Sequence, residues 1–523
     1  MRPTLNKSSP EEQPAAAEQA VSRRAALLRD GRRSLRLLGT RVRRRVYQFT
    51  AGGRWTYQLL PSARQNLRWF WFDGLFVSAN DAIIVTYLSL FVLALGGTRA
   101  QIGLMSALSD LSAALLILPG ATLVERWGRR KQVVLLSGKG SSHVAILLLA
   151  LVPLAFGSPV AVYVAIALAV ARSAFANLGV PAWMSLTADI VPLSWRGRYF
   201  SARNVAMGIT QMVTTYFVGQ LITRAGDPTG YQLAMGLAFA TGMASAFSYA
   251  HIEEPPPSAT ARTTGRGSRA SLLRHLRAHP DFLIFCATAA LWNLSLNIAG
   301  PFFNVYQVEI LKVSAGVVGA LSVVSGLAAL PGQRLFGPLV DRWGPRRVQL
   351  VTGLIIPLLP WAWMLVRSPW HVVPINLAGG FLWAGYSLSN FSLLLTLTPE
   401  DRRPRYSAVY QAIVTAALAG GAALGGILAE RWGYTIIFGL SGIGRLGAAL
   451  LFALCGSRVN RFGTRPIAPR SDRRANRWRT PPAGCSHRCR RRRRAPRRRN
   501  RGRRSGGRPS CAGRSRAYPP HRR

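Results

Sequence analysis

The chain has 523 residues and a formal net charge of +48, from 67 Lys and Arg against 19 Asp and Glu. In a soluble protein that excess is the footprint of nucleic-acid binding, but 49% of the residues are hydrophobic and half of the excess lies in residues 457–523, which hold 25 Arg against Asp472. Residues 1–65 add 14 Lys and Arg against four acids, so the charge sits at the ends and a soluble basic protein is excluded in favour of a membrane domain with basic ends.

In chain order, residues 1–66 form a basic cytoplasmic segment in which Ser22 to Val46 mixes Arg with Leu and Ala, the pattern of an amphipathic helix on an anionic inner leaflet. No long apolar stretch and no secretory signal precedes the first apolar run, which is expected to direct insertion itself. Runs at 68–95, 102–124, 132–155, 159–187, 199–223 and 231–251 make an N-terminal six-helix bundle, 67–252. A linker rich in Pro, Thr, Gly and Arg follows at 253–280. Runs at 282–308, 315–338, 347–366, 371–396, 406–428 and 434–456 make a C-terminal bundle, 281–456. At about 1.5 Å per residue such runs cross a hydrocarbon core of about 30 Å. Residues 457–523 form an Arg-rich tail expected to be disordered; with Lys only at 7, 131, 139 and 312 its Arg runs reflect GC-rich codons, and no nucleic-acid role is expected.

The five cysteines imply no disulfide framework. Cys286 and Cys455 lie in apolar runs; Cys485, His487 and Cys489 in the tail lack the second ligand pair of a zinc site. No metal and no other cofactor is expected.

Lys and Arg near helix ends are retained on the cytoplasmic side. The even-numbered loops hold Arg126, Arg129, Arg130 and Lys131, then Arg196 and Arg198, the Arg-rich linker, Arg342, Arg346 and Arg347, and Arg402, Arg403 and Arg405. The odd-numbered loops hold only Arg99, Arg224, Lys312, Arg367 and Arg431. A multi-pass plasma-membrane protein with both termini cytoplasmic is expected.

Two loop signatures repeat. Leu123-Val-Glu-Arg-Trp-Gly-Arg-Arg recurs as Leu339-Val-Asp-Arg-Trp-Gly-Pro-Arg, 216 residues on, and Pro192-x-x-x-Arg196-x-Arg198-Tyr199 recurs from Pro399, 207 residues on. Each falls in the matching loop of its half, so the chain reads as a duplicated six-helix unit.

Gly337-x-x-x-Asp341-Arg342-x-Gly344-x-Arg346-Arg347 resembles the loop signature between helices two and three, and eight and nine, of the major facilitator superfamily. The resemblance spans residues 66–456 and implies an all-α membrane fold of twelve transmembrane helices in two pseudo-symmetric six-helix bundles, with a substrate cavity between them. The first copy, Glu125-Arg126-Trp-Gly128-Arg129-Arg130, has Ala121 at the first Gly position and Glu for Asp. In both loops a carboxylate can face a helix N-terminus while Gly turns the chain and Arg meets the anionic surface, a contact suited to gating. Arg172 resembles the family's fourth-helix Arg, with Ala176 where Gly is usual. The fifth helix keeps Gly208 and Gly219 but lacks the Gly-Pro pair of many drug–proton antiporters.

Charges in a membrane span cost about 2.5–3.5 kcal/mol and are expected to face a cavity or a partner. Asp81 and Arg172 lie at about the same depth, roughly 20 Å from the cytoplasmic side, and are read as an ion pair whose protonation couples transport. A purely structural pair is the alternative. Asp73, nearer the edge, is read as a solvated or capping charge, and Asp110, Lys139, Arg334 and Arg445 as less central. His143 is read as a packing residue. Asn293, Asn297 and Asn304 share one face of helix seven, which Pro301 interrupts. Trp383, Tyr386 and Asn390 share one face of helix ten. Together they suit a substrate with polar and apolar surface, although interhelical packing explains them equally well. Gly420, Gly421, Gly425 and Gly426 on helix eleven permit close backbone approach.

Gly138-Lys139-Gly140-Ser141 lacks the spacing of a phosphate-binding loop, and no enzyme is expected. The expected function is secondary active transport of a small solute by alternating access, with protons the simplest coupling ion, by a monomer whose partners are its substrate and the anionic lipid leaflet. The alternative is a transport-incompetent sensor or scaffold using its basic tails.

Overall fold

Inside a hydrocarbon slab backbone groups have only one another as partners, so long apolar runs cross it as helices. The computed structural model describes residues 56, 59–192, 195–254, 280–398 and 403–455, which are almost wholly helical and contain no strand. The proposed amphipathic segment 22–46, most of the linker, and the Arg-rich tail with its cysteines lie outside the described residues.

The helices in order are α1 (Pro61–Ala94), α2 (Arg99–Trp127), α3 (Arg130–Ala155), α4 (Val160–Ile190), α5 (Arg196–Ala225), α6 (Thr229–Ala250), α7 (Pro280–Glu309), α8 (Ala315–Trp343), α9 (Pro345–Met364), α10 (Pro369–Leu397), α11 (403–432) and α12 (434–455). Ten stretches are long and apolar enough to span a membrane; the last, Tyr406–Cys455, is two helices divided at Gly433, and α10 completes the twelve. Each overlaps one expected run. The largest displacement is at α1, which starts at Pro61, a residue pre-shaped for the first helical turn. Its first turns, Ser62-Ala-Arg-Gln-Asn66, are too polar to register as membrane-spanning.

Local chemistry sets other boundaries. Thr98 and Gln101 exchange side-chain and backbone hydrogen bonds in a capping box that starts α2. Gly128 and Gly344, the matching glycines of the repeated loop, have φ of +64° and +82°, backbone that a side chain disfavours, and turn the chain into α3 and α9. Pro301 interrupts α7 between Ala299 and Phe302. In α3, residues Val134–Ser141 widen into a π-helical stretch.

Within the first half α1 packs on α5 and α6, and α2 on α4; within the second α7 packs on α11 and α12, and α8 on α10. The halves meet where α2 crosses α11 and α5 crosses α8. These crossings exchange when one half is mapped on the other, as a pseudo-twofold between two six-helix bundles requires. Leu115, Leu154, Phe217, Phe247 and Leu365 are exposed on the outer surface, where lipid replaces protein contacts.

Candidate transport cavity

At the end opposite the Arg-rich loops the two halves are tied together. Arg99, at the start of α2, forms an ion pair with Glu309 at the end of α7, with Nε 3.1 and 3.2 Å from its two oxygens. Tyr434 of α12 donates to the same carboxylate, and Arg99 lies over its ring, 4.5 Å from the centroid. Beside this cluster the backbone N–H of Ala100 donates to Glu430 and that of Gly316 to Thr223 Oγ1. The helices approach on glycine: a Cβ at Gly103 would stand 2.5 Å from Gly426 Cα, and one at Gly219 would stand 2.7 Å from the Ala315 carbonyl. Asn304 donates to the Thr86 carbonyl and Asn297 to Asp110, carrying inter-half contacts toward the middle of the bundle.

From that level toward the Arg-rich end lies a cavity of about 820 Å³ between the halves. Its walls come from α1, α5, α7, α8, α9, α10 and α12. On α5 the lining runs from Thr215 to Ser201, and on α8 from Ser322 to Gln333, in both cases toward the basic end. The wall mixes amides (Asn204, Gln211, Asn304, Gln307, Gln333, Asn376) with aromatic rings (Phe303, Trp363, Trp383). Among the described residues no Asp or Glu lines it, and one cation does: Arg445 of α12.

Of the residues expected around a cavity, Asn304 and Trp383 line it. Asp81 and Arg172 form no ion pair within 4 Å among the described residues, and neither is in this wall. Asn293 donates to the Ala289 carbonyl of its own helix. Asn297 bridges Asp110 and the Leu418 carbonyl. Asn390 pairs with Tyr410 at 2.9 Å, and Tyr386 stacks on Trp292 with ring centroids 4.5 Å apart. Asn297, Asn390 and Tyr386 thus knit helices together beside the cavity, while Asn293 bonds within α7.

The reading of Asp73 as solvated or capping does not hold. It is 1% exposed, pairs with Lys139, accepts from Ser245 at 2.7 Å and lies 3.8 Å from Arg203. The π-helical stretch of α3 carries Lys139, and Gly74 leaves the room that the Arg203 guanidinium fills, since a Cβ there would meet its Nε at 2.5 Å. The cluster joins α1, α3, α5 and α6 inside one half. His143 is buried against Gly242, with its ring nitrogen at the Lys139 carbonyl.

These features combine two pseudo-symmetric bundles with a polar cavity between them, and the sequence comparison decides the family. Residues 70–309 and 293–495 match the model of the Major Facilitator Superfamily. The chain belongs to this superfamily. Its members are secondary transporters of small solutes, not enzymes, and this chain is a multi-pass plasma-membrane transporter of that kind. An enterobactin exporter, EntS, of Citrobacter koseri is 26% identical over 379 residues, covering 71% of this chain and 86% of its own. Among solved structures, a variant of the nucleoside transporter NupG superposes with a TM-score of 0.60 at 14% identity over 75% of this chain and 99% of its own. A bacterial homologue of the human lysosomal transporter Spinster, in an inward-facing unoccupied conformation, gives 0.58 at 14% identity over 76% and 96%.

The superfamily loops differ between the halves. Arg130 is buried, hydrogen-bonded to Glu254 at 3.0 Å and Ser185 at 3.2 Å and paired with Asp189, so it ties α3 to the end of α4 and to the chain leaving α6. Arg126, Gly128 and Arg129 are exposed. In the second copy Arg346 Nη2 lies 3.4 Å from the Ala453 carbonyl at the end of α12. Asp341, Arg342 and Arg347 are exposed, and Asp341 makes no ion pair among the described residues. Gly337 sits inside α8 with open space around it, whereas Gly344 makes the turn.

Proposed function

We propose that this transporter works by alternating access and that the structure corresponds to its cytoplasm-facing state, with both termini cytoplasmic. The observation that carries this reading is the 820 Å³ cavity, closed at one end by the Arg99, Glu309 and Tyr434 cluster and running toward the Arg-rich end. The exposed Asp341 fits a basic-end gate that is open. Export of a small solute is the direction we favour, from the likeness to enterobactin exporters. Asp81 with Arg172 remains the proposed proton-coupling pair, and the unit is proposed to act as a monomer on the anionic inner leaflet.

Ser201→Cys, on the cavity wall near the basic end, tests the orientation. A membrane-impermeant maleimide should label it in inside-out vesicles and not in intact cells; the converse reverses the topology. Enterobactin accumulation in the same vesicles tests export, and no accumulation above empty vesicles overturns that direction for this solute. In vesicles that do accumulate it, Asp81→Asn should remove the dependence on pH; unchanged rate and pH profile eliminate Asp81 from coupling.

A further inference from the structure

Among the described residues Arg445 is the one charge on the cavity wall, and it has no ion-pair partner. Its side chain is 2% exposed, its Nη2 reaches only the Leu296 carbonyl at 3.4 Å, and its Nε has no hydrogen-bond partner. No carboxylate pairs with it among the described residues. Three buried cations of the first half are handled differently: Lys139 and Arg203 share Asp73, and Arg130 has Asp189 and Glu254, while Arg172, which also lacks an ion pair among the described residues, is not on the cavity wall. A buried guanidinium without a counter-ion is costly. Arginine is also the side chain whose planar donor fork best matches a carboxylate or related oxyanion.

The remaining wall indicates what the rest of a ligand looks like. Phe303 and Trp363 pack with centroids 5.1 Å apart, and Trp383 stands edge-on to Trp292 and Tyr386 at 6.3 and 5.4 Å. These rings share the cavity with Arg445 and with amides such as Gln333 and Asn376, which donate to and accept from neutral polar groups. A cavity near 820 Å³ is of a size that encloses a small organic molecule.

We infer that this cavity takes an organic anion, whose carboxylate or equivalent oxyanion supplies the missing counter-charge to Arg445 while its ring or apolar body lies along Phe303, Trp363 and Trp383. The inference rests on the transport reading for its biological meaning, but the site is tested by equilibrium binding alone. The solute binds and leaves through non-covalent contacts alone, so no covalent step and no further reactant is needed. Read from the sequence as less central, Arg445 stands out only once the other helices of the cavity wall are placed around it.

The test uses purified full-length protein in detergent and two matched pairs of probes, salicylate with salicylamide and indole-3-acetate with indole-3-acetamide. Binding is read by isothermal titration calorimetry, and by protection of Asn376→Cys from maleimide. Each carboxylate should bind at least about tenfold more tightly than its amide, as expected when a charge-assisted pair replaces a neutral one. Arg445→Gln should reduce that preference to less than about twofold, and Arg445→Lys should retain part of it. Should Arg445→Gln fail to fold, the protection of Asn376→Cys in the otherwise native chain still decides the matter. Equal affinity for acid and amide, or a preference that survives Arg445→Gln, overturns the assignment. An intact anion preference in a chain that moves no solute across vesicles would instead sink the transport reading and leave the site standing.

Discussion

Replacing Glu309 with Gln should loosen the far-end closure, and the structure sets the size of the effect. The carboxylate holds Arg99 through both oxygens and takes the Tyr434 hydroxyl, joining α2 of one half to α7 and α12 of the other. Arg99 and Glu309 each keep 27% of their side-chain surface exposed, so solvent screens the pair. An exposed ion pair contributes about 0–1 kcal/mol, and a hydrogen bond to a charged group about 1.5–3 kcal/mol. A partly screened cluster falls between these, at about 1–2 kcal/mol, or about 5- to 30-fold in the ratio of closed to open. Thr215→Cys, buried on the cavity wall, is the reporter. An impermeant maleimide supplied from the far end reaches it only when that end opens, so its labelling rate follows the open population. In intact cells, the proposed outside, Glu309→Gln should raise this rate about 5- to 30-fold. Arg99→Lys should fall between, because it keeps the charge and loses the fork. A change under twofold, in a variant that elutes and melts as its parent does, would refute the reasoning.

Gly103→Val should act in the same direction by steric means, since its Cβ would stand 2.5 Å from Gly426 Cα: labelling of Thr215→Cys should rise from the far end and fall from the basic end, and unchanged rates would show that the crossing is not the closing contact. Asp73→Asn leaves Lys139 and Arg203 buried with no carboxylate, a loss of about 3–5 kcal/mol for a broken buried pair. It should lower the melting temperature in detergent, with partial recovery on adding Lys139→Gln; a double variant less stable than the single would rule out charge imbalance as the cause. Gly344→Ala forces a side chain onto φ of +82° and should destabilise by about 1–3 kcal/mol, whereas Gly337→Ala, in open helix, should be neutral or stabilising by up to about 1 kcal/mol. Thermal melts of the two variants side by side check the contrast, and equal losses would contradict it.

The twelve spans were legible because lipid leaves a chain few alternatives: every long apolar run became a helix, and Gly128, Gly344 and Pro301 turned or broke the chain where steric rules require. The start of α1 was less legible, since its polar first turns obey helix rules but not membrane ones. That displacement also bears on Asp73. Measured from an apolar run starting at 68 it lies near the edge, but it is one side of a cluster whose other members, Lys139, Arg203 and Ser245, are 66 to 172 residues away in sequence. Nothing in a one-dimensional pattern marks those partners. Matching depth similarly pointed to Asp81 and Arg172 as a pair, although depth along two helices does not fix the rotation of either, and the two stop short of a salt bridge. Asn293, Asn297 and Asn304 share a helix face, but the Pro301 break separates Asn304, on the cavity wall, from Asn293, which bonds within its own helix, and Asn297, which bonds to α2 and α11.

The distribution of charge gives the two halves different tasks. Among the described residues, the ion pairs of the first half other than Arg99 with Glu309 stay within it or reach Glu254 just beyond α6, so those charges brace a bundle whose relative motion need not break them. The exception is the pair that spans the halves, at the end that must open for access to alternate. The second half supplies most of the aromatic wall and the unpaired Arg445. A cycle in which the bundles rock about the cavity would then break Arg99 with Glu309 once per turn while leaving Asp73, Lys139 and Arg203 together. Binding an anion at Arg445 would compensate the charge on the cavity wall. The inner-gate signature is divided in the same way. Arg130 is tied to Asp189 and Glu254 beside its own half, while Asp341 is exposed and makes no ion pair among the described residues, as the proposed gate requires with the basic end open.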